Sequence, residues 1–150
     1  MNGFKKFEIL EHPSDTGLKV YAGTAEELFE ICAEGMFSII CKLEKVKKSE
    51  KRNVKLHEDR KLKLDELLLL WLEKLLYLHE VESLLLSSFR IKQIYISNKA
   101  SELEAIIMGE KINPEKHELS IAIKAPTYHM LQVKKDKGSG LWTGQVIFDV

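Results

Sequence analysis

The stretch that decides the fold is residues 67–76, which read LLLLWLEKLL. One helical face collects the side chains that recur at three- and four-residue spacing, namely Leu68, Trp71, Leu72, Leu75, Leu76 and His79. Leucines at 67, 69 and 70 extend the apolar surface most of the way round. Asp65 is a favourable N-cap, so a helix is expected over about residues 65–83. Because a helix that is apolar on nearly all sides is buried on more than one face, we expect it to be the central helix.

An amphipathic helix is predicted before it, over about residues 24–41. Thr24 and Glu27 form a capping box, in which the hydroxyl satisfies a backbone amide and the carboxylate reaches back. Apolar residues follow at helical spacing, namely Leu28, Ile31, Cys32, Met36, Ile39 and Ile40. Cys32 and Cys41 project from opposite sides of such a helix. A disulfide between them is therefore excluded, and both are expected to be buried thiols in a reducing compartment.

The remaining segments are typical of β-strands. Strands are expected over residues 4–10 and 18–21, around 54–56, and then over 91–96, 103–107, 120–125, 130–133 and 145–150, with turns at 113–114 and 138–140. Helices and strands that are segregated along the chain indicate an α+β fold. We expect one domain over residues 1–150, with a mostly antiparallel or mixed sheet packed against the two helices.

Composition excludes several classes of function. Lys plus Arg and Asp plus Glu both number 23, so the formal net charge is zero, and nucleic-acid binding through a strongly cationic surface is not indicated. The sequence contains no P-loop, His-Glu-x-x-His, Cys-x-x-Cys or Gly-x-Ser-x-Gly motif. It shows no signal-peptide pattern, and the apolar run at 67–72 is too short to span a bilayer. A cytoplasmic protein with no membrane partner is expected.

Aspartates stand near both ends of the chain, each beside a strand-like segment. Asp15 follows His12, Pro13 and Ser14, and Asp149 precedes Val150. Taken alone, Asp15 is explained most simply by a turn in which its side chain bonds its own backbone, and Asp149 by a solvated strand end. Divalent cations such as calcium prefer carboxylate and carbonyl oxygens. The two aspartates would form a cation site if the fold brought them together.

Lys124 and His129 lie in the stretch 123–129, IKAPTYH. An unbroken strand would aim them at opposite faces because they are five positions apart. Pro126 is expected to interrupt that regularity, so whether the two side chains meet stays open at this point. A lone strand histidine is more often structural than functional.

These segments resemble the archease family, the small accessory proteins of the RtcB-type tRNA ligase that joins RNA ends. The resemblance spans nearly the whole chain, through residues 12–15 (HPSD), 24–29 (TAEELF), 67–76, the loop at 109–118, 124–129 (KAPTYH) and 148–150 (FDV). Pro13 stands where the family usually has threonine, which removes a hydroxyl beside Asp15.

The resemblance implies that Asp15, Asp149 and a main-chain oxygen of Val150 hold one divalent metal ion. An oxygen-only set favours calcium, manganese or magnesium over zinc, and calcium is expected first. Three roles are open for His12, namely a further ligand, a group that orients a ligating carboxylate, or a turn residue, and the orienting role is preferred. Lys124 is a better functional candidate than His129, because the family motif centres on the lysine.

The resemblance also implies a protein cofactor rather than an enzyme. Such a protein promotes guanylylation and multiple turnover of the ligase during tRNA splicing and RNA repair, and it meets RNA only through the ligase. One alternative is a chaperone or a modulator of another RNA-modifying enzyme, such as a tRNA methyltransferase, which would use an exposed apolar patch. A second alternative is a metal-dependent hydrolase that uses His12, Asp15, His129 and Asp149.

Overall fold

The structure is a computed structural model that describes residues 6–11 and 15–150. The strands are β1 (Phe7–Glu11), β2 (Asp15–Ala22), β3 (Glu50–Glu58), β4 (Leu84–Ile96), β5 (Ser101–Lys111), β6 (Ala125–Lys135) and β7 (Trp142–Asp149). The helices are α1 (Ala25–Ile40) and α2 (Leu64–Glu82), with a short 3₁₀ helix at Leu43–Lys45. The α+β prediction and the placement of both helices are confirmed.

The strands form two antiparallel sheets. One has four strands in the order β1-β2-β7-β6, and the other has three in the order β3-β5-β4. The four-stranded sheet therefore pairs β2, near the start of the chain, with β7 at its end. This pairing determines where the two aspartates lie.

Helix α1 packs against β2 of one sheet and β4 of the other. Thr24 caps it as predicted, because its Oγ1 accepts a hydrogen bond from the Glu27 backbone N–H at 3.0 Å, and the Glu27 carboxylate accepts one from Gly23 N–H at 3.1 Å. Cys32 and Cys41 are buried free thiols, as predicted. Burial raises the pKa of both thiols, to about 11 for Cys41.

Helix α2 buries a broad face, with eight of its 19 residues buried, whereas α1 buries ten of its 16. The Trp71 side chain of α2 is fully buried, and Nε1 donates a hydrogen bond to Phe29 O on α1 at 3.0 Å. The predicted N-cap is wrong by two residues, because Lys63 is the cap and its backbone N–H donates to the Glu66 carboxylate at 2.9 Å. Asp65 lies inside the first turn, where acidic residues stabilise the helix dipole.

Strand boundaries were predicted less well than helices. The predicted strand at 120–125 is wrong, because residues 120–124 are irregular and β6 begins only at Ala125. The reason is that β7 ends at Asp149, the register partner of Ala125, so earlier residues have no strand beside them. Strand β4 begins at Leu84, ahead of the predicted residue 91. The prediction missed this start because the first three residues of the strand are all buried leucines, which show no alternation of apolar and polar side chains.

Within residues 6–11 and 15–150, no helix is both long enough and apolar enough to cross a membrane.

Candidate metal centre

The ends of three strands meet at one end of the four-stranded sheet. Strand β2 begins at Asp15, and its register partner on β7 is Asp149. Ala125, the first residue of β6, pairs with the same Asp149 from the other side. The backbone N–H of Lys124 donates a hydrogen bond to Asp149 O at 2.7 Å. The fold thus joins Asp15, Asp149 and the start of the KAPTYH segment, although they are far apart in sequence.

The two aspartates project from the outer face of this sheet. Leu18 and Val146 are fully buried, as is Phe148, and alternation along each strand places Asp15 and Asp149 on the opposite face. Directly opposed residues in antiparallel strands have Cβ atoms roughly 5 Å apart. The two carboxylates therefore face the same small volume.

The Asp15 carboxylate is incompletely satisfied. Its Oδ1 is buried and has no hydrogen-bond partner among the described residues, whereas most buried polar atoms have one. Two carboxylates placed directly opposite each other also repel. An orphaned carboxylate oxygen beside a second carboxylate is what a divalent cation would neutralise, so the residues present fit the metal that the resemblance implies.

Gly17 and Ile147 support the aspartate pair from the next position on the same face. They are register partners, and a Cβ on residue 17 would stand 2.7 Å from Ile147 Cδ1. The Ile147 side chain therefore lies across Gly17, close to the carboxylates. Thr127 Oγ1 donates to Ile147 O at 2.9 Å, which fastens β6 to the same point. Sequence reasoning missed Gly17 and Thr127, and the only available signal was a glycine inside a strand.

The other predicted residues lie at different distances from the pair. Val150 directly follows Asp149 and is exposed, so its main chain is adjacent to the carboxylates. Lys124 is exposed and is joined to Asp149 through the backbone. His12, with Pro13 and Ser14, lies outside the described residues.

His129 lies away from the aspartates, in a bulge of β6. Regular pairing with β7 stops after Thr127 and resumes only at Gln132, and His129 is exposed within this interval. The bulge lies opposite Val146, three residues from Asp149 on β7, which at 3.3 Å per residue is roughly 10 Å along the strand. This arrangement gives the hydrolase alternative no support, because that alternative needs His129 beside the aspartates.

The remaining histidines hold other parts of the fold. His57 lies on the three-stranded sheet, and its hydrogen bonds to Asp59 and Glu102 raise its pKa, with Asp59 the larger cause. His79 was expected in the core or at its boundary, and its Nδ1–H donates to Leu84 O at 2.8 Å. Within the part of the chain that the structure describes, no three His, Cys, Asp or Glu side chains form a metal cluster. The predicted set differs from such clusters because it has two carboxylates and a main-chain oxygen.

His117 anchors the loop after β5. Its Nε2–H donates to the Glu110 carboxylate at 2.9 Å, and its Nδ1 accepts from the Asn113 backbone N–H at 2.9 Å. The same Glu110 oxygen accepts from Lys116 Nζ at 2.6 Å and from Lys47 N–H at 2.7 Å. The hydrogen bond from Lys116 is the largest cause, and that from the Lys47 backbone the next largest, of a pKa of Glu110 that is lowered to about 2. This cluster stabilises the loop and lies apart from the aspartate pair in the fold.

Comparison with known proteins identifies the family. Residues 7–150 match the Archease protein family (MTH1598/TM1083). The chain belongs to the archease family. It is 37% identical to protein archease of Pyrococcus abyssi, over 97% of this chain and 99% of that protein. It is 38% identical to protein archease of Methanosarcina mazei, over 97% of each.

A solved archease-family fold agrees with the one described above. The solution structure of Methanobacterium thermoautotrophicum protein 1598 superposes with a TM-score of 0.80 at 30% identity, over 98% of this chain and all of that one. Archease membership therefore rests on sequence along nearly the full chain and on tertiary structure. The resemblance seen in the sequence is confirmed.

Proposed function

We propose that this protein activates an RtcB-type RNA ligase, promoting ligase guanylylation and multiple turnover in RNA ligation during tRNA splicing and RNA repair. Membership of the archease family supports this role. The observation that carries it is the register pairing of Asp15 with Asp149, the two aspartates that the family resemblance implies as ligands. The protein acts as a cofactor of the ligase and not as an enzyme.

The metal-binding part of the proposal rests on the chemistry of the donor set. Asp15, Asp149 and a main-chain oxygen of Val150 would hold the ion, with calcium first and manganese or magnesium as alternatives. A bound divalent cation would supply positive charge that offsets the repulsion between the two carboxylates. Asp149 is exposed, so a protein partner can reach this end of the sheet.

Lys124 would contribute a charge to the same contact. Its backbone is fastened to Asp149 and its side chain is exposed, so the ammonium group is available to a carboxylate or phosphate of the partner. This protein can shift the ligase towards one conformation only if it binds the two conformations with different affinity. The protein should therefore bind the guanylylation-competent form of the ligase more tightly.

A guanylylation assay tests the proposal. The cognate ligase is incubated with GTP and manganese, and ligase–GMP and ligated RNA are measured over time, with and without this protein. The wild-type protein should raise the rate and allow multiple turnover, and Asp149→Asn should not. Glu34→Gln is the matched control, because Glu34 is exposed on α1. Identical accumulation of ligase–GMP with and without the wild-type protein would contradict the proposal.

A second candidate is a chaperone or a modulator of another RNA-modifying enzyme, such as a tRNA methyltransferase. The observation that favours it is the pair of exposed apolar side chains Tyr128 and Met130, since exposed apolar surface marks partner sites. Unbiased co-purification separates the two candidates. Recovery of a methyltransferase without the ligase would favour this second role.

A further inference from the structure

Strand β6 carries an unusually large bulge (the β6 bulge, residues 128–131). The chain advances from Thr127 to Gln132 on β6 while the register partners move only from Ile147 to Gln145 on β7. The four bulge residues therefore stand opposite the single residue Val146. An ordinary bulge places two residues opposite one, so this one displaces considerably more backbone from the sheet.

The β6 bulge is held in place by specific contacts. Gln145 Nε2 donates to Met130 O at 3.2 Å, and Thr127 Oγ1 donates to Ile147 O at one base of the bulge. Leu131 packs against the hydrophobic core at the other base. The bulge thus presents its side chains in a defined arrangement.

One residue of the β6 bulge has a backbone conformation that residues with a side chain disfavour. Met130 has φ of 55°, in the left-handed region that glycine and asparagine adopt more readily than other residues. Such strain persists where the surrounding structure imposes it, and it concentrates at functional sites. A methionine stands where glycine would relieve the backbone, which favours a role for its side chain.

The β6 bulge exposes two large apolar side chains, with the exposed His129 between them. Tyr128 is 70% exposed and Met130 is 60% exposed. A bulge on an edge strand protects a sheet from pairing with other chains, which would explain the backbone. This protection comes from the distorted backbone and gives no role to large exposed apolar side chains. The two side chains therefore require a separate explanation.

Lysines lie on both sides of this apolar centre along the chain. Residues 124–135 contain three lysines, at 124, 134 and 135, and no aspartate or glutamate. All three lysines are exposed. The surface that complements this arrangement is an apolar pocket with carboxylates at its rim. Such a pocket is found on a protein. Tyrosine and methionine are both enriched at the centres of protein interfaces.

We propose that the β6 bulge is a docking surface for a partner protein with an acid-rimmed apolar pocket, with Tyr128 and Met130 as its anchors. The inference rests on the proposed function, in which that partner is the RNA ligase. Because the β6 bulge lies opposite Val146, three residues from Asp149 on β7, a ligase docked there would lie roughly 10 Å from the aspartate pair.

Affinity for the cognate ligase tests the inference. The double variant Tyr128→Ser, Met130→Asn should bind about 10-fold or more weakly, as expected when interface anchors are truncated. Asparagine tolerates a positive φ, so the variant should melt at or above the wild-type temperature and keep its metal response. Tyr77→Ser, Val81→Asn is the matched control, because those residues are 53% and 62% exposed on α2. It should bind within about twofold of wild type.

The possible outcomes separate this inference from the proposed function. If the wild-type protein activates the ligase and the bulge variant binds and activates equally well, the docking inference fails alone. If the wild-type protein does not activate the ligase, both fail. If the variant instead loses affinity for a single-stranded RNA oligonucleotide in the absence of ligase, the surface binds RNA and the inference is overturned. Tyr128→Ser alone repeats the test without altering the strained position.

Discussion

Replacing Asp149 by asparagine should change the free energy of unfolding in opposite directions with and without a divalent cation. Asp149 stands directly opposite Asp15, at a Cβ separation of roughly 5 Å. Two unit charges at that separation repel by about 1 kcal/mol in water and by roughly 3 kcal/mol at an effective dielectric constant of 20. Asp149 is exposed, so the smaller value applies. The metal-free variant should be more stable by about 1 kcal/mol, which raises Tm by roughly 2–4 °C.

A bound cation should reverse this order. A ligand that binds only the folded protein stabilises it by about 2.7 kcal/mol at 100 times its Kd. The wild-type protein should gain this stabilisation from calcium or manganese, whereas the variant has lost one of its two carboxylate ligands. Thermal melting in chelator and in excess cation measures both differences on the same samples.

Glu34→Gln controls for the change in net charge, because it removes one exposed carboxylate from α1. It should respond to the cation as the wild-type protein does. The reasoning is refuted if the cation leaves the wild-type Tm unchanged, or if it raises the Tm of Asp149→Asn by the same amount.

Three further predictions follow from the same contacts. Deleting Val150 should weaken metal affinity at least about 10-fold, the range for loss of a supporting group at a metal site. Val150→Ala keeps the main-chain oxygen and should bind the metal as the wild-type protein does. Calorimetry that finds equal affinity for the deletion variant and the wild-type protein would exclude this oxygen as a ligand. Lys124→Ala should impair ligase activation more than Lys134→Ala with metal affinity intact, and full activation by Lys124→Ala would limit that residue to a structural role. Because the pKa of Glu110 is lowered to about 2 from an ordinary 4.5, its ionised form stabilises the fold fully above pH 4.5, and this contribution is lost as the pH falls towards 2. Denaturant unfolding of Glu110→Gln should show lower stability at pH 7 and a weaker loss of stability between pH 4.5 and 2, and an unchanged pH profile would show that the loop cluster contributes nothing.

The local features of this chain were readable from sequence because they depend on nearby residues. The capping box at Thr24 and Glu27 is a contact over three positions, and it forms as expected. The burial of α2 follows from its apolar circumference. The start of β4 was missed because its consecutive buried leucines carry no period of two. The cap of α2 was misplaced because Asp65 suits both the cap position and the first turn.

The candidate site depends on information that no short stretch of the chain contains. The sequence determined the helices, the α+β class, the family resemblance and the types of oxygen donor available, since these follow from propensity, periodicity and motif. Only the tertiary structure decided that β2 and β7 pair in the register that sets Asp15 against Asp149. Only the tertiary structure decided that β6 bulges after Thr127 and that His129 lies within this bulge, apart from the aspartates. The physical reason is that strand register is selected by burial of whole sheet faces, a property of the assembled core and not of any one segment.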